Sequence, residues 1–411
     1  MNPDPGTADR HAPGGRFDLV VVGAGPAGAA AALRALCLRP EARVLLLDRA
    51  TFPRDKTCGD GIGPESVRLL DELGVAGVLK GATPFDQLEI DGGAGSVVTG
   101  SVAEVGYVLP RVAFDHRLVT AAVDRGAELR QERVRRVEDL GDRVVINDRL
   151  QARVVVGADG ANSVVRRHLA PGAQPDRHNA VAIRGYAHLP CSPPKLRFQL
   201  TWNPGPSYAW IFPGPDERAN VGFGTFDGRR PLDRHELTAA LSALDVGAHP
   251  EPASVRGHRL PLSTLRHVPA RGRILLAGDA ASLVNPLSGE GIATALLSGS
   301  LAGDCAVSSR EPARAYQVAL ARLLRRHLRQ VRLASRLYAS PAVVHRALRT
   351  ADRSPRVFEE LARLSVGAGH LSAGTLVRML ALLPRATAEA RSHADAARYL
   401  AARSRPPPNV R

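Results

Sequence analysis

The chain has 411 residues, and 55 basic against 40 acidic residues give it a formal net charge of +15. This length is enough for two or three domains, or for one large domain with a subdomain, and for a sizeable buried core. The basic residues are spread along the chain and aromatic residues are scarce, so nucleic-acid binding is not expected.

Cysteine usage and hydropathy indicate a cytoplasmic protein without a metal site. The four cysteines show neither disulfide-framework nor metal-ligand spacing, which suits reduced thiols in a reducing compartment. The most apolar run, residues 19–33, is too short to span a bilayer and is interrupted by glycine. We expect residues 1–15 and 404–411 to be flexible tails, and the first of them lacks the apolar segment of a secretion signal.

The first predicted element is a dinucleotide-binding unit. An apolar, β-branched run at 17–22 predicts a strand, which leads into the turn Gly23-Ala24-Gly25-Pro26-Ala27-Gly28 and an alanine-rich helix. The first glycine permits the turn, the second lets the backbone approach a pyrophosphate, and the third lets the helix pack closely on the strand. A second strand at 43–47 leads to Asp48, at the spacing from Gly28 that lets a carboxylate hydrogen-bond an adenosine ribose.

The next segment, residues 51–67, places Cys58 between charged and glycine-rich flanks. One interpretation is a loop at the reactive end of a bound cofactor. The other is a surface loop with a packing cysteine, because free cysteine is among the most buried residue types. The roles of Lys56 and Asp60 are also left open by the sequence, because each residue could be solvated or could help to hold an anionic cofactor or substrate group.

Two later strands each lead into an aspartate. Residues 154–156 precede Asp159-Gly160, and residues 273–277 precede Gly278-Asp279. Ligands bind open α/β sheets at the C-terminal ends of the strands. Together with the turn at 23–28, these motifs resemble the glutathione-reductase-like FAD fold of the flavoprotein hydroxylases. The resemblance implies that the first pair lies near the cofactor's pyrophosphate and that the second aspartate hydrogen-bonds its ribityl chain.

Two further segments extend this resemblance. Residues 110–118 resemble an arginine-bearing helix start near the cofactor, although Arg111 could instead form a surface salt bridge with Asp115 at i,i+4. Residues 282–292 precede a helical run at 293–302. Glycines before a helix start let backbone N–H groups point at an anion, which here would be the edge of a reduced flavin.

Tyr208, Trp210 and Phe212 alternate along a predicted strand and therefore share one face. The three rings could line a hydrophobic substrate pocket or could simply pack within the sheet. A comparable strand in flavin halogenases carries the pattern WxWxIP. This chain has Tyr208 in place of the first tryptophan and Phe212 in place of the isoleucine, a departure that counts against halogenation.

Residues 51–62, 208–213 and 285–292, taken together and in this order, resemble the geranylgeranyl reductase family. Members of that family reduce carbon–carbon double bonds of polyprenyl chains with FADH2, which implies hydride delivery to one alkene carbon and a proton to its neighbour. An isolated alkene resists hydride attack unless protonation leads or accompanies it, so a buried acid near the flavin is required. Cys58, Glu290 and a flavin-bound water are the candidates, and the sequence does not choose among them.

The resemblance implies a site drawn from all these segments, with Cys58 and Glu290 as catalytic candidates and Tyr208, Trp210 and Phe212 as substrate-binding residues. The residues implied to bind FAD are Gly23, Gly25, Pro26, Ala27, Gly28, Asp48, Arg49, Cys58, Gly59, Asp60, Gly61, Arg111, Asp159, Gly160, Gly278, Asp279, Pro286, Gly289, Gly291 and Ile292. No second dinucleotide motif is visible in the sequence. The electron donor is therefore expected to be NAD(P)H binding transiently, or another external reductant such as a donor protein.

The expected fold is α/β, with a glutathione-reductase-like Rossmann FAD domain, an antiparallel-sheet substrate domain and a C-terminal helical region. The FAD domain is expected to be discontinuous, over residues 16–80, 106–175 and 268–310. The sheet domain is expected over 81–105 and 176–267, and the helical region over 311–403.

The C-terminal region is strongly cationic. From Arg314 to Arg349 there are nine arginines and no acidic residue, and the leucines keep helical spacing, so an apolar stripe lies beside a cationic face. Such a helix could lie on an anionic membrane surface, which would suit a lipid substrate. It could equally be a domain helix whose arginines are solvated.

Three functions are compatible with these patterns. The favoured one is an FAD-dependent reductase of a polyprenyl or similarly apolar alkene. The second is a flavin-dependent monooxygenase, or less readily a halogenase, that tailors a natural product, because one fold supports several chemistries. The third is a non-catalytic flavin-binding protein at a membrane, against which the three intact cofactor motifs argue.

Overall fold

The computed structural model describes residues 16–93, 96–170, 175–190, 193–203, 205–226, 232–242, 250–264 and 268–381. The expected flexible tails at 1–15 and 404–411 lie outside these residues. The strands within them are β1 (Phe17–Val22), β2 (Val44–Asp48), β3 (Gly61–Ile62), β4 (Thr83–Asp91), β5 (Val97–Val108), β6 (Glu128–Gln131), β7 (Val137–Asp139), β8 (Val144–Ile146), β9 (Leu150–Gly157), β10 (Asn179–His188), β11 (Leu196–Thr201), β12 (Ser207–Pro213), β13 (Arg218–Thr225), β14 (Arg256–Pro261), β15 (Ala270–Arg271) and β16 (Ile274–Leu276).

The same residues contain ten α-helices, and the last four of them follow one another near the C-terminus. They are α1 (Pro26–Leu38), α2 (Pro64–Glu72), α3 (Arg111–Asp124), α4 (Val164–Leu169), α5 (Arg234–Ser242), α6 (Ile292–Ser308), α7 (Pro312–Tyr338), α8 (Pro341–Asp352), α9 (Pro355–Val366) and α10 (Ala373–Ala381). Two compact units divide between Leu371 and Ser372, and α10 belongs to the second. In the described residues, no helix combines the length and the apolar character that a bilayer crossing requires.

The first sheet is a Rossmann sheet with the strand order β15-β16-β9-β1-β2-β6 and a β7–β8 ribbon beside β9. Its central pairs, β1 with β2 and with β9, and β9 with β16, are parallel. The central strands are almost wholly apolar and buried, as is typical of parallel strands covered on both faces. The C-terminal ends of β1, β2, β9 and β16 therefore meet at one edge, which brings the turn at 23–28, Asp48, Asp159 and Asp279 together.

The second sheet has the strand order β14-β10-β13-β12-β11-β4-β5-β3. It is antiparallel, as expected, except that β11 runs parallel to β4. The short strand β3 comes from the Cys58 segment and pairs with β5, so this segment leads from the first sheet into the second. This arrangement places the cysteine segment between the two sheets.

The two faces of the second sheet bury different sets of side chains. Trp210 and Phe212 pack with residues of β4, β5, α8 and α9 in one apolar cluster. Ala209 lies on the opposite face and packs with Ile183, Phe223 and α5. The alternation predicted for β12 is thus present, and the C-terminal helices cover part of the aromatic face. The α/β fold class is confirmed, whereas the domain boundaries stay a prediction.

Candidate active site

A cavity of about 520 Å³ lies between the two sheets and contains most of the predicted site residues. Its volume is within the range that small-molecule and cofactor sites occupy. Four of the predicted residues do not line it, and these are Gly28, Asp60, Gly278 and Pro286. The others come together from six segments of the chain, at 23–27, 48–61, 111, 159–160, 208–212 and 279–292.

The glycine-rich turn shows which of its positions face a ligand. A Cβ at Gly28 would lie 1.9 Å from the backbone oxygen of Gly23, so the third glycine serves the close packing of α1. A Cβ at Gly25 would meet only the Arg54 guanidinium, at 3.5 Å, and Gly25 lines the cavity. The backbone at the N-terminus of α1 is therefore open to an anionic ligand, as the sequence predicted.

Asp48 is buried at the end of β2 and lines the cavity. Its Oδ2 accepts a hydrogen bond from the backbone N–H of Ala24 at 3.0 Å and lies 3.3 Å from the Arg54 guanidinium. Oδ1 accepts the Ala50 N–H at 3.0 Å. This carboxylate therefore holds the turn in shape as well as facing the predicted ribose position, next to Arg49.

The two later aspartates differ in their surroundings. Asp159 accepts hydrogen bonds from the Ser163 hydroxyl and from the backbone N–H of Val164 at 2.6 Å, so it supports the start of α4. Gly160 beside it has a positive φ of 76°, and nothing lies within 4 Å of the position of a Cβ. Asp279 lines the cavity at the end of β16, and its Oδ2 lies 3.9 Å from the Lys56 ammonium.

Gly278 and Pro286 have structural surroundings instead of cavity positions. The Gly278 N–H donates to the Ser298 hydroxyl at 2.9 Å, and a Cβ at this glycine would press on Ala27 and Ala295. Pro286 belongs to the turn whose neighbours Gly289, Gly291 and Ile292 line the cavity. These two residues shape the segments that carry site residues and do not themselves face the cavity.

Cys58 lies in the cavity wall beside Arg111. Burial raises the pKa of the Cys58 thiol, and the Arg111 guanidinium, within hydrogen-bonding reach of the sulfur, partly offsets this. Arg111 also forms a bidentate ion pair with Asp115, with Nε 2.6 Å from Oδ1 and Nη2 2.8 Å from Oδ2. The expected ion pair with Asp115 is thus present but buried instead of on the surface, and Arg111 also lines the cavity, so its contact with a cofactor stays a prediction.

Asp60 faces away from the cavity, into a buried polar network. Its carboxylate accepts hydrogen bonds from the Tyr186 hydroxyl at 2.6 Å, from Asn220 Nδ2 at 2.8 Å and from the Arg111 N–H at 3.2 Å. Burial raises the pKa of Asp60 to about 6, although these donors oppose the shift. Asp60 therefore holds the cysteine segment against β10 and β13 and does not face a cofactor in this arrangement.

The rings of Tyr208, Trp210 and Phe212 all line the cavity from β12, together with Phe198 of β11. Trp210 donates from Nε1 to Asn220 Oδ1 at 2.9 Å. Its indole lies over Gly222, where a Cβ would be 2.1 Å from a ring carbon. This half of the cavity is thus apolar and aromatic, and it is suited to an apolar ligand.

Glu290 stands where the aromatic half meets the cofactor motifs. Its Oε1 accepts the Ala293 N–H at 2.8 Å at the start of α6, whereas the buried Oε2 has no hydrogen-bond partner among the described residues. Burial raises the pKa of Glu290 to about 7. A carboxyl group with this pKa can act as an acid near neutral pH.

Sequence reasoning missed three residues that line or support this cavity. His258 on β14 lines it, and its buried Nε2 has no hydrogen-bond partner among the described residues. The sequence of that strand, RGHRLP, gave no pattern that singled it out. Val366, at the end of α9, lines it from the C-terminal region, where no motif was visible. Asn220 joins Trp210 to the cysteine segment through hydrogen bonds that depend on the tertiary structure.

The sequence matches the FAD binding domain family over residues 16–299. The protein is therefore an FAD-dependent oxidoreductase. This follows from the family match together with the Rossmann sheet, whose edge brings the three cofactor motifs together.

The chain is 35% identical over 327 residues to the menaquinone reductase of Mycobacterium tuberculosis. The aligned region covers 74% of this chain and 79% of that protein. It is 37% identical over 324 residues to digeranylgeranylglycerophospholipid reductase 1 of Methanopyrus kandleri, with 72% and 81% covered. The protein thus belongs to the geranylgeranyl reductase family.

Solved structures agree on the fold. A geranylgeranyl bacteriochlorophyll reductase-like protein from Thermoplasma acidophilum superposes with a TM-score of 0.74 at 21% identity, covering 90% of this chain and 97% of that one. A flavin-dependent brominase superposes with a TM-score of 0.70 at 16% identity, covering 90% and 98%. At these identities the likeness concerns the fold, which reductases and halogenases share.

The residues of the cavity fit FAD. Gly25 leaves the N-terminus of α1 open, and the buried His258 Nε2 lacks, among the described residues, a partner that a polar ligand could supply. Of the predicted cofactor residues, those that would contact FAD are the cavity-lining ones. Gly28, Asp60, Gly278 and Pro286 would support them from behind.

Proposed function

We propose that this protein uses bound FAD to reduce carbon–carbon double bonds of a polyprenyl or similarly apolar substrate. The relatives' names motivate the substrate class, since they include a menaquinone reductase and a digeranylgeranylglycerophospholipid reductase. The observation that carries the proposal is Glu290, which lines the cavity within electrostatic reach of both Tyr208 and Asp279. Its buried Oε2 has no hydrogen-bond partner among the described residues.

The chemistry needs a hydride and a proton on adjacent carbons. When bound, reduced FAD supplies two electrons as a hydride. The rings of Tyr208, Trp210 and Phe212 bind the apolar chain and exclude water from the reacting carbons. Because no carbonyl stabilises charge on an isolated alkene, the acid must be close to the double bond and must be protonated when the substrate is bound.

Glu290 is our proposed proton donor. Its Oε2 is buried, unpartnered and at the junction of the two halves of the cavity, and the pKa of about 7 leaves much of it protonated at neutral pH. Proton transfer from Oε2 to the alkene carbon leaves the carboxylate, which then takes a proton from solvent. Cys58 is the alternative donor, but burial raises its pKa and Arg111 already contacts the thiol.

Variants at these two positions separate the two donors. Glu290→Gln keeps the shape and the hydrogen bond from Ala293 but cannot donate a carboxylic proton, so we expect at least a hundredfold loss of alkene reduction. Cys58→Ser should retain reduction within about tenfold. The opposite pattern, with Cys58→Ser inactive and Glu290→Gln active, would transfer the role to the thiol. Bound flavin should be quantified in both variants to show that the cofactor is retained.

We propose an external electron donor, because the sequence shows one dinucleotide-binding motif. NAD(P)H that binds transiently is one donor and a reduced donor protein is the other. Anaerobic mixing of the FAD-loaded protein with NADH or NADPH tests the first, since bleaching of the flavin absorbance reports reduction. Bleaching by dithionite but by neither nucleotide would favour a donor protein.

We also propose that α7 contacts an anionic membrane, from which a lipid substrate could enter. The exposed side of this helix carries Val318, Leu323 and Leu333 among arginines such as Arg325 and Arg329. The stripe predicted from the sequence is itself buried at Leu320, Leu324 and Val331. The proposal therefore rests on the exposed apolar side chains and on the positive charge, which complements anionic headgroups.

Flotation with liposomes that contain phosphatidylserine tests the membrane proposal. Arg325→Glu/Arg329→Glu should weaken binding at least about thirtyfold, since each of the two basic residues near an anionic surface contributes about 1 kcal/mol. The matched reversal Arg135→Glu/Arg136→Glu, outside α7, should leave it unchanged. Absence of binding at low salt would reject the membrane contact without affecting the proposed reaction.

The reaction itself is tested by anaerobic incubation of the dithionite-reduced protein with geranylgeranyl substrates and with menaquinone. A product heavier by two hydrogens, detected by mass spectrometry, supports the reductase. Product that forms only when oxygen is admitted and carries an oxygen atom would instead identify a monooxygenase. Both outcomes use the same protein preparation and substrate set.

A further inference from the structure

Lys56 is a half-buried cation, with 25% of its side chain exposed, and its charge is little compensated by neighbouring groups. It lines the cavity, and its ammonium has one ion pair in the described part of the chain, with Asp279 Oδ2 at 3.9 Å. That distance is too long for a hydrogen bond. Burial lowers the pKa of Lys56, and Asp279 only partly opposes the shift. A lysine in such a position costs stability unless something else binds its ammonium.

His258 interacts electrostatically with the same aspartate. It lies on β14, lines the cavity, and its Nε2 is buried without a hydrogen-bond partner among the described residues. Burial and the nearby Lys56 charge together lower the pKa of His258 to about 4, although Asp279 opposes the shift. The imidazole is therefore neutral at physiological pH and can offer one N–H or one lone pair to a ligand.

The position of these groups points to the cofactor and not to the apolar substrate. Asp279 ends β16 at the sheet edge where FAD is expected, and the charges that act on His258 include Arg49, which follows β2 at the same edge. The aromatic rings of β12 supply no partner for either polar group. Two unsatisfied polar side chains around one aspartate thus form a built site for the polar chain of a dinucleotide.

We propose that Lys56 and His258 bind the FAD cofactor beside Asp279, as a second anchoring point that complements the glycine-rich turn at 23–28. The Lys56 ammonium supplies positive charge to the cofactor, and the His258 imidazole supplies one hydrogen bond. The two residues reach the cofactor from different parts of the fold, the cysteine segment and β14 of the second sheet. Cofactor binding then links the two sheets across the cavity.

Cofactor affinity and protein stability should respond to Lys56→Met in opposite directions. Removing a poorly compensated, half-buried cation should leave the melting temperature of the flavin-free chain equal to or above that of the wild type. The dissociation constant for FAD, measured from flavin fluorescence on dilution, should rise at least tenfold. A residue with a purely structural role would instead lower the melting temperature of the flavin-free chain.

His258 is tested by two substitutions. His258→Leu should raise the FAD dissociation constant about five- to tenfold, because a buried polar contact is lost. His258→Gln, which keeps a donor and an acceptor, should restore most of the affinity. The matched controls Lys80→Met and His188→Leu lie at exposed positions outside the cavity and should leave FAD affinity unchanged.

The reduction potential gives a second readout that does not depend on substrate. If Lys56 supplies positive charge, Lys56→Met should disfavour the reduced cofactor about tenfold, which is about 30 mV for a two-electron couple. Lys56→Arg should keep the potential near that of the wild type. Unchanged FAD affinity and potential in both Lys56→Met and His258→Leu would overturn the proposal. None of these measurements requires alkene reduction, so they stand apart from the proposed reaction.

Discussion

Asn220 donates a hydrogen bond from Nδ2 to the backbone oxygen of Cys58 at 2.8 Å. The same amide donates to Asp60 at 2.8 Å and accepts from the Trp210 indole at 2.9 Å. A single buried side chain on β13 therefore joins the cysteine segment, a buried carboxylate and an aromatic ring of the cavity. The position of Cys58 relative to Trp210 depends on this amide.

Asn220→Ala should destabilise the protein and disturb the aromatic wall. The change leaves the Trp210 N–H and part of the Asp60 carboxylate without a partner, and each buried unsatisfied group costs about 1–3 kcal/mol. We expect a loss of about 2–4 kcal/mol in urea unfolding. Exposed Asn203→Ala is the control. A loss below about 0.5 kcal/mol would show that the network contributes little.

Gly25 and Gly28 should respond differently to the same substitution. Gly25→Val meets only the flexible Arg54 side chain, so the flavin-free chain should fold while FAD binding is lost. Gly28→Val would force a side chain onto the Gly23 backbone oxygen and should impair folding itself. Far-UV circular dichroism together with flavin content separates the two. Full FAD retention in Gly25→Val would contradict the assignment of this turn to the cofactor.

Glu290 should make stability depend on pH. Burial raises its pKa in the folded state from the usual value near 4.5 to about 7. The folded state therefore holds this proton more tightly, and the resulting stability is complete below about pH 4.5 and is lost as pH rises through about 7. The full difference is on the order of 3 kcal/mol.

Glu290→Gln should remove that part of the pH dependence. In urea unfolding of the flavin-free chain, the wild type should lose more stability than the variant between about pH 4 and pH 8, by up to about 3 kcal/mol. Asp60→Asn is a second variant for the same comparison. Because the pKa of Asp60 is about 6, its contribution to the pH dependence of stability should fall at lower pH than that of Glu290. Parallel curves for the wild type and Glu290→Gln would contradict a raised pKa at Glu290.

Gly222→Ala should affect substrate binding more than cofactor binding. The added methyl group would lie 2.1 Å from the Trp210 ring, so the indole must move into the cavity. We expect KM for an alkene substrate to rise at least fivefold while flavin content is unchanged. Gly93→Ala, which meets nothing within 4 Å but has a positive φ, controls for backbone strain alone. A KM equal to that of the wild type would remove Trp210 from the substrate wall.

The Rossmann half of the fold was predictable because its signals are local. The strand at 17–22, the glycine turn and Asp48 form one continuous segment, and apolar runs marked the strands before Asp159 and Asp279. The alternation of β12 likewise predicted one shared face for its three rings, and the structure has this face.

Other parts of the site depend on contacts between distant segments. Asp60 was predicted to face the cofactor, but it points into the network with Tyr186 and Asn220, which lie more than a hundred residues away. His258 becomes notable only because β14 carries it to Asp279. No local sequence pattern predicts either orientation, because the tertiary partners of a side chain decide the direction in which it points.

The central claim is most directly tested by anaerobic reoxidation of the bound flavin. The FAD-loaded protein is reduced with one equivalent of dithionite and mixed with a geranylgeranyl substrate without oxygen. We predict that flavin absorbance returns and that one double bond is reduced for each flavin oxidised, with Glu290→Gln blocking both. Flavin that stays reduced with every apolar alkene and is reoxidised only by oxygen would contradict the reductase.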